Sequence, residues 1–201
     1  MRIALFGGTF NPPHQGHVHV TDLLTKRFDE VWLVVANDPN KKEKPYVKPV
    51  HRLAMAKLAV SRIPGAKVSD VEIRRGGASF TTETLTELLR VYPEHQFTWV
   101  IGSDLLLDFP RWKNSKQLAQ SAHFAVVSRP GYLISKGALT PFRYIQVIQD
   151  EGGVDASSTQ IRQWIHQSNA SKAETLLLDE VWKYILENKL YAIDQTPESC
   201  R

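Results

Sequence analysis

Ile3-Ala4-Leu5-Phe6-Gly7-Gly8-Thr9-Phe10-Asn11-Pro12-Pro13-His14-Gln15-Gly16-His17 stands almost at the start of the chain. The apolar run 3–6 reads as a short strand, the glycine pair as a turn, and the amphipathic residues from about 15 to 28 as a helix. Gly7 and Gly8 let a ligand approach the backbone. His14 and His17 meet it where free amides and the helix dipole already favour an anion. Taken singly, a glycine turn or a histidine near a helix start is ordinary packing or polar surface. Their combined order implies a triphosphate site built from Gly7, Gly8, Thr9, Phe10, His14 and His17. No thiolate lies nearby, and no Asp or Glu falls among His14, His17 and His19, so the histidines are not read as a metal site.

Outward from this turn, strand-like runs at 3–6, 30–36, 67–73, 97–102, 123–128 and 144–148 alternate with helical patterns at about 15–28, 50–62, 81–91 and 114–120. Alternation predicts a parallel sheet. Runs such as Trp32-Leu33-Val34-Val35 and Phe124-Ala125-Val126-Val127 are apolar on consecutive residues, as strands covered by helices on both faces must be. The expected fold is therefore α/β, a Rossmann-like, doubly wound and mostly parallel sheet, closed by C-terminal helices beginning near Ser157 and spanning 178–188. A chain of 201 residues with 42% hydrophobic composition suits one domain, here 1–190, with 191–201 as a tail without order.

Several classes are excluded or disfavoured by composition. The only cysteine is Cys200, which rules out an intrachain disulfide and fits a reducing cytoplasm. Nothing approaches 18 successive apolar residues, so no membrane span is expected. The net charge of +4 suits anionic substrates, but acidic residues are interspersed among the basic ones, so no nucleic-acid surface is called for.

In such sheets ligands sit at the carboxyl ends of strands. The loops after the strands are the informative ones, and the chain from 156 supplies a second anion signal: Ala156-Ser157-Ser158-Thr159-Gln160-Ile161-Arg162. Capping hydroxyls and open amides at a helix start attract phosphate, and Arg162, one turn in, adds a charge-assisted pair. The loop 37–49 carries Lys41, Lys42 and Lys44, one of which is expected to close over phosphates.

The first stretch resembles the T/HxGH nucleotidyltransferases, and the second resembles that superfamily's ISSTxIR motif with alanine at its first position. The middle of the chain, Ser79-Phe80-Thr81-Thr82-Glu83-Thr84-Leu85, then Ile101-Gly102-Ser103-Asp104 with Phe109 and Trp112, and then Ser128-Arg129-Pro130-Gly131, is similar to the bacterial nicotinate mononucleotide adenylyltransferases. That resemblance implies transfer of AMP from ATP to nicotinate mononucleotide, giving deamido-NAD and pyrophosphate in NAD biosynthesis, without a covalent enzyme intermediate. It implies His14, His17 and Arg162 as catalytic groups and Ser157, Ser158, Thr159 and Arg162 around the β and γ phosphates, with Gly102 and Asp104 also at the ATP. It implies Asn11, Asn37, Lys44, Thr81, Thr82, Asp104, Trp112 and Arg129 at the pyridine nucleotide, and Mg²⁺ held mainly by ATP phosphates and water. Trp112 as a stacking platform, Thr81 and Thr82 as carboxylate donors, Asp104 at a ribose and Arg129 at the acceptor phosphate follow the chemistry of that acceptor. Trp112 as a core residue and Asp104 as a turn cap are the plain alternatives. Nicotinamide mononucleotide as acceptor, a phosphopantetheine adenylyltransferase and a noncatalytic nucleotide sensor remain the competing functions.

Overall fold

The computed structural model describes residues 1–39, 47–128, 134–167 and 169–191. The chain enters as β1 (Arg2–Gly8), turns into α1 (Gln15–Thr25) and returns as β2 (Glu30–Val35). A short β3 (Asp38–Pro39) precedes α2 (Pro49–Val60) and β4 (Ala66–Ser69). Then come α3 (Val71–Arg75), β5 (Ala78–Ser79), α4 (Thr81–Val91) and β6 (Gln96–Gly102). Two 3-10 turns, Ser103–Leu105 and Phe109–Arg111, lead to α5 (Ser115–Ser121), β7 (His123–Val127), α6 (Lys136–Leu139) and β8 (Tyr144–Ile148). The chain closes with α7 (Ser158–His166), α8 (Ala170–Glu174) and α9 (Asp179–Glu187).

Six strands form one parallel sheet in the order β4-β2-β1-β6-β7-β8. This is the doubly wound order: the chain moves outward from β1 through β2 to β4, then crosses back to β6 on the other side of β1. The direction reverses between β1 and β6, where Phe6 pairs with Val100. A crevice opens there, at the carboxyl ends of both strands, and it holds the turn after Gly8 and the turn after Gly102. Both faces of the sheet are buried. Ala4, Leu33, Val100 and Ala125 point to one side, beneath Met55 of α2, Ile161 of α7 and Val181 and Ile185 of α9. Ile3, Leu5, Trp99, Ile101 and Phe124 point to the other, beneath Leu85 and Leu88 of α4 and Leu118 of α5. The consecutive apolar runs in the strands are the direct consequence.

One expected strand is shorter than its pattern. The run 67–73 was read as extended, but β4 ends at Ser69 and Val71–Arg75 is helical. Asp70 makes the difference: its carbonyl receives the Arg74 amide at 2.9 Å, and its carboxylate receives Arg74 Nε at 2.9 Å. Helical spacing then turns Glu72 inward, toward α4. Tyr191, assigned to the tail, is also placed otherwise, since only 4% of its surface is exposed. Residues 192–201 lie outside the described residues.

Arg52 lies in α2 on the face that carries Met55, Ala56 and Ala59, and it is 0% exposed. Its guanidinium is spent on backbone carbonyls. Nε donates to Val47 at 3.1 Å, Nη1 to Thr9 at 2.9 Å and to Ala36 at 2.6 Å, and Nη2 to Asn37 at 2.7 Å. Burial lowers its pKa to about 10, with Tyr191 and Asp38 acting in the opposite direction, so it remains cationic at neutral pH. Replacing Arg52 with Ala removes the donors of four carbonyls, and replacing it with Lys keeps the charge without the fork. Equilibrium urea denaturation is expected to show R52A destabilised by at least ~3 kcal/mol and R52K by a substantial part of that. An unchanged midpoint for R52A contradicts the role given to this residue.

Candidate active site

The turn that leaves β1 is packed from below. A Cβ on Gly7 would lie 2.5 Å from Trp99 Cζ2, and one on Gly8 would lie 2.8 Å from Phe10 Cζ. The two glycines therefore serve the packing of the turn as well as its open upper side. Phe10, at φ 50 and 1% exposed, sits with its ring 5.0 Å from that of His17. The ring expected at ATP is thus buried. It acts on a ligand only by bracing His17.

His14 and His17 are brought together as their spacing implies, with ring centroids 3.8 Å apart. His14 is 4% exposed. The His14 amide donates to His17 Nδ1 at 3.2 Å, so Nδ1 is an acceptor and the proton of a neutral His17 resides on Nε2. The open amides expected at the start of α1 are partly used: Gln15 N donates to the Leu176 carbonyl at 2.9 Å and His17 N to the His14 carbonyl at 2.8 Å.

The start of α7 completes the same wall. Ser158 Oγ donates to the Pro12 carbonyl at 2.8 Å, and Arg162 Nη1 donates to the Asn11 carbonyl at 2.9 Å while Nη2 reaches Thr159 Oγ1 at 3.2 Å. The two motifs, far apart in the chain, are directly bonded. Ser157 stands at the N-cap position, but its hydroxyl makes no capping bond. The first-turn amides, which no intrahelical carbonyl reaches, therefore lack a side-chain cap. Asn11 was expected at the pyridine nucleotide, and here it is 4% exposed with Oδ1 accepting the Tyr191 hydroxyl at 2.6 Å. It ties the turn after β1 to Arg162 and Tyr191.

A second group of residues gathers beside this wall. The Asn37 amide donates to Ser79 Oγ at 3.0 Å and its side-chain Nδ2 to the Gly77 carbonyl at 2.9 Å, tying the exit of β2 to the loop before α4. The β3 and β5 pairing, Asp38 to Ala78 and Pro39 to Ser79, reinforces the tie. Thr81 opens α4. Thr82, expected to give its proton to a ring carboxylate, donates it instead to the Lys113 carbonyl at 3.0 Å. A hydroxyl has one proton, so Thr82 holds the segment that carries Trp112 rather than the ligand. Lys113 also bonds Glu83 at 2.8 Å and lies over the Phe80 ring at 4.5 Å, and its ammonium beside Glu83 holds that carboxyl below its ordinary pKa. Trp112 is partly buried, 5.4 Å from the Phe109 ring, which itself packs on Phe124 and Phe142. The indole packs on one of the two core clusters without being fully buried. Gly102 and Asp104 follow β6 at the crevice; Asp104 lies within the 3-10 turn, whose N-cap is Gly102. Lys44 and Arg129 lie outside the described residues, as do Lys41 and Lys42.

The model of the cytidylyltransferase-like family matches residues 5–164. The chain is 35% identical over 191 residues to a probable nicotinate-nucleotide adenylyltransferase of Oceanobacillus iheyensis, covering 94% of this chain and 96% of that one. It is 34% identical over 193 residues to the nicotinate-nucleotide adenylyltransferase of Bacillus subtilis, covering 94% and 98%. The chain belongs to the nicotinate-nucleotide adenylyltransferase family. A solved nicotinic acid mononucleotide adenylyltransferase of Plasmodium falciparum, complexed with NaAD, matches with a TM-score of 0.85 over 94% of this chain and 97% of that one, at 21% identity. That likeness carries the fold.

In this member of the nicotinate-nucleotide adenylyltransferase family, three supports of the site escaped sequence reasoning. Arg52 was discoverable, because it falls on the apolar face of α2. Tyr191 follows an apolar helix but offers no motif. Glu72 and Thr84 are buried at 4% and 0% exposed, and Thr84 Oγ1 donates to Glu72 at 2.6 Å while accepting Arg75 at 3.1 Å. This network fixes α3 against α4 and so fixes the loop 76–80 between them. Thr84→Val keeps the shape but deprives a buried carboxylate of its donor. Chemical denaturation of T84V is expected to show a loss of ~1–3 kcal/mol, whereas a loss below ~0.5 kcal/mol contradicts the assignment.

Proposed function

We propose that this chain is a nicotinate-nucleotide adenylyltransferase, which moves AMP from ATP to nicotinate mononucleotide in NAD biosynthesis, releasing pyrophosphate and forming deamido-NAD. The observation that carries the reading is the direct bonding of the two phosphate-seeking motifs, Arg162 to Asn11 and Ser158 to Pro12. It joins the two motifs into one wall, on which the triphosphate is proposed to lie.

A phosphate oxygen of the mononucleotide attacks the α phosphorus of ATP, a new P–O bond forms, and the bond to the β phosphate breaks as pyrophosphate leaves with its electron pair. Negative charge moves toward the oxygens of the α phosphorus and the leaving group. His17 Nε2–H, oriented by the His14 amide at Nδ1, meets the first charge. Arg162 and the start of α7 meet the second. Donors fixed before the reaction stabilise developing charge without reorganising, which is the main source of rate in such transfers.

The acceptor side rests on Trp112 for the pyridine ring and on the loop 76–80 and Thr81 for its carboxylate. Asn37 and Thr82 act as struts there. Asp104, at the end of β6, serves ribose hydroxyls, while Lys44 and Arg129 supply charge to the phosphates. Mg²⁺ enters with the triphosphate, neutralising its charge and held by phosphate oxygens and water. Among the described residues no group of three His, Cys, Asp or Glu side chains stands together as a metal cage. No described helix is long and apolar enough to cross a membrane, and a cytoplasmic setting, where ATP is abundant, suits the reaction.

The test is pyrophosphate release from ATP and Mg²⁺, with nicotinate mononucleotide, nicotinamide mononucleotide or pantetheine phosphate supplied in turn. Release is expected with nicotinate mononucleotide; its absence with every acceptor sinks the reading. His17→Ala is expected to lower kcat by about 10²–10³-fold while changing the acceptor KM much less. Unchanged turnover contradicts the role of His17.

A further inference from the structure

We infer that Tyr191 is a positioning residue of the triphosphate wall, acting through Asn11 on Arg162; the inference rests on the functional reading of that wall as an ATP site. The Tyr191 hydroxyl donates to Asn11 Oδ1 at 2.6 Å across a sequence separation of 180 residues. The carbonyl of the same asparagine accepts Arg162 Nη1 at 2.9 Å. One residue thus receives a donor from the end of the chain at its side chain and the phosphate-seeking arginine at its backbone.

Asn11 is only 4% exposed, so solvent replaces a lost donor poorly. Its Oδ1 contact therefore fixes the plane of the side chain and limits rotation of the attached peptide. The peptide orientation sets where its carbonyl points. That direction, together with Thr159 Oγ1 at 3.2 Å, sets where the Arg162 guanidinium rests before any phosphate arrives. An arginine held in place loses less conformational freedom on binding than one that must be ordered by the ligand.

The terminal segment is built to deliver this hydroxyl. After α9 the chain turns on itself, with Leu190 N donating to the Ile185 carbonyl at 3.0 Å and Leu190 only 7% exposed. Tyr191 itself adopts φ 64, in the left-handed region that a bulky side chain enters only when its surroundings require it. Burial raises its pKa above the ordinary phenol value, against the influence of the Arg162 and Arg52 charges, so the hydroxyl keeps its proton and remains a donor. The positive charges near it would favour a phenolate; the dry site outweighs them.

The experiment compares wild type with Tyr191→Phe, measuring ATP affinity directly by calorimetry, the KM values of both substrates and thermal unfolding. Y191F is expected to weaken ATP binding by about five- to tenfold, with the acceptor KM changing less than twofold. ATP affinity within twofold of wild type overturns the inference, as does an equal rise in both KM values. A fall in unfolding temperature without an ATP-specific change reveals a purely structural tyrosine and also overturns it. Asn11→Ala supplies a second check: if Tyr191 acts through Asn11, adding Y191F to N11A weakens ATP binding no further, whereas additive losses contradict the route. The calorimetric readout needs no turnover, so a wild type that binds ATP but releases no pyrophosphate defeats the functional reading and leaves this inference decided by the variants.

Discussion

A guanidinium buried against four carbonyls holds the upper edge of this protein together. Arg52 bonds the turn after β1 at Thr9, the exit of β2 at Ala36 and Asn37, and the re-entry of the chain at Val47. These carbonyls lie outside the strands and helices of the fold, and each buried carbonyl must find a donor. One forked cation supplies them all. Isolated burial of that charge is costly, and the four acceptors offset the cost only while all three segments stay where they are. The same guanidinium therefore sets the height of the glycine turn, the position of Asn37 and, through Asn37, the distance to the loop 76–80.

On this frame the chemistry needs few further inventions. The sheet order places the glycine turn and Asp104 at the switch point, and α7 lies across the turn with its first amides uncapped. His17 is held in one tautomer by a backbone amide, and Arg162 is held by a backbone carbonyl. The acceptor side is built differently. There the polar groups of Asn37 and Thr82 are spent on other parts of the protein, and the proposed platform, Trp112, is braced by Phe109.

Much of this was legible in the residues. The strand-to-helix alternation gives a parallel sheet because its apolar runs are long enough to be covered on both faces, and the two motifs stand out in the sequence and meet in the fold, although the Ser157 hydroxyl expected as a cap makes no capping bond. What stayed hidden has a common cause. Asn11 was read as a ligand contact because its partner, Tyr191, is at the opposite end of the chain and in no motif. Thr82 was read as a donor to the ligand because nothing in its neighbourhood announces the carbonyl of Lys113. The strand expected over 67–73 overruns into α3 because Val71 and Ile73 alternate, while the turn depends on Asp70 and on the burial of Glu72 against Thr84. Hydrogen-bond partners set by the tertiary fold are invisible to periodicity.

The central claim is that the glycine turn and the start of α7 form a single wall for one triphosphate. A crystal structure with Mg²⁺ and a nonhydrolysable ATP analogue measures it most directly. The account predicts the α phosphate beside His17 Nε2 and the β and γ phosphates at the first turn of α7, within hydrogen-bond reach of Arg162. A triphosphate bound away from Arg162, or one that spans only the glycine turn, would contradict it.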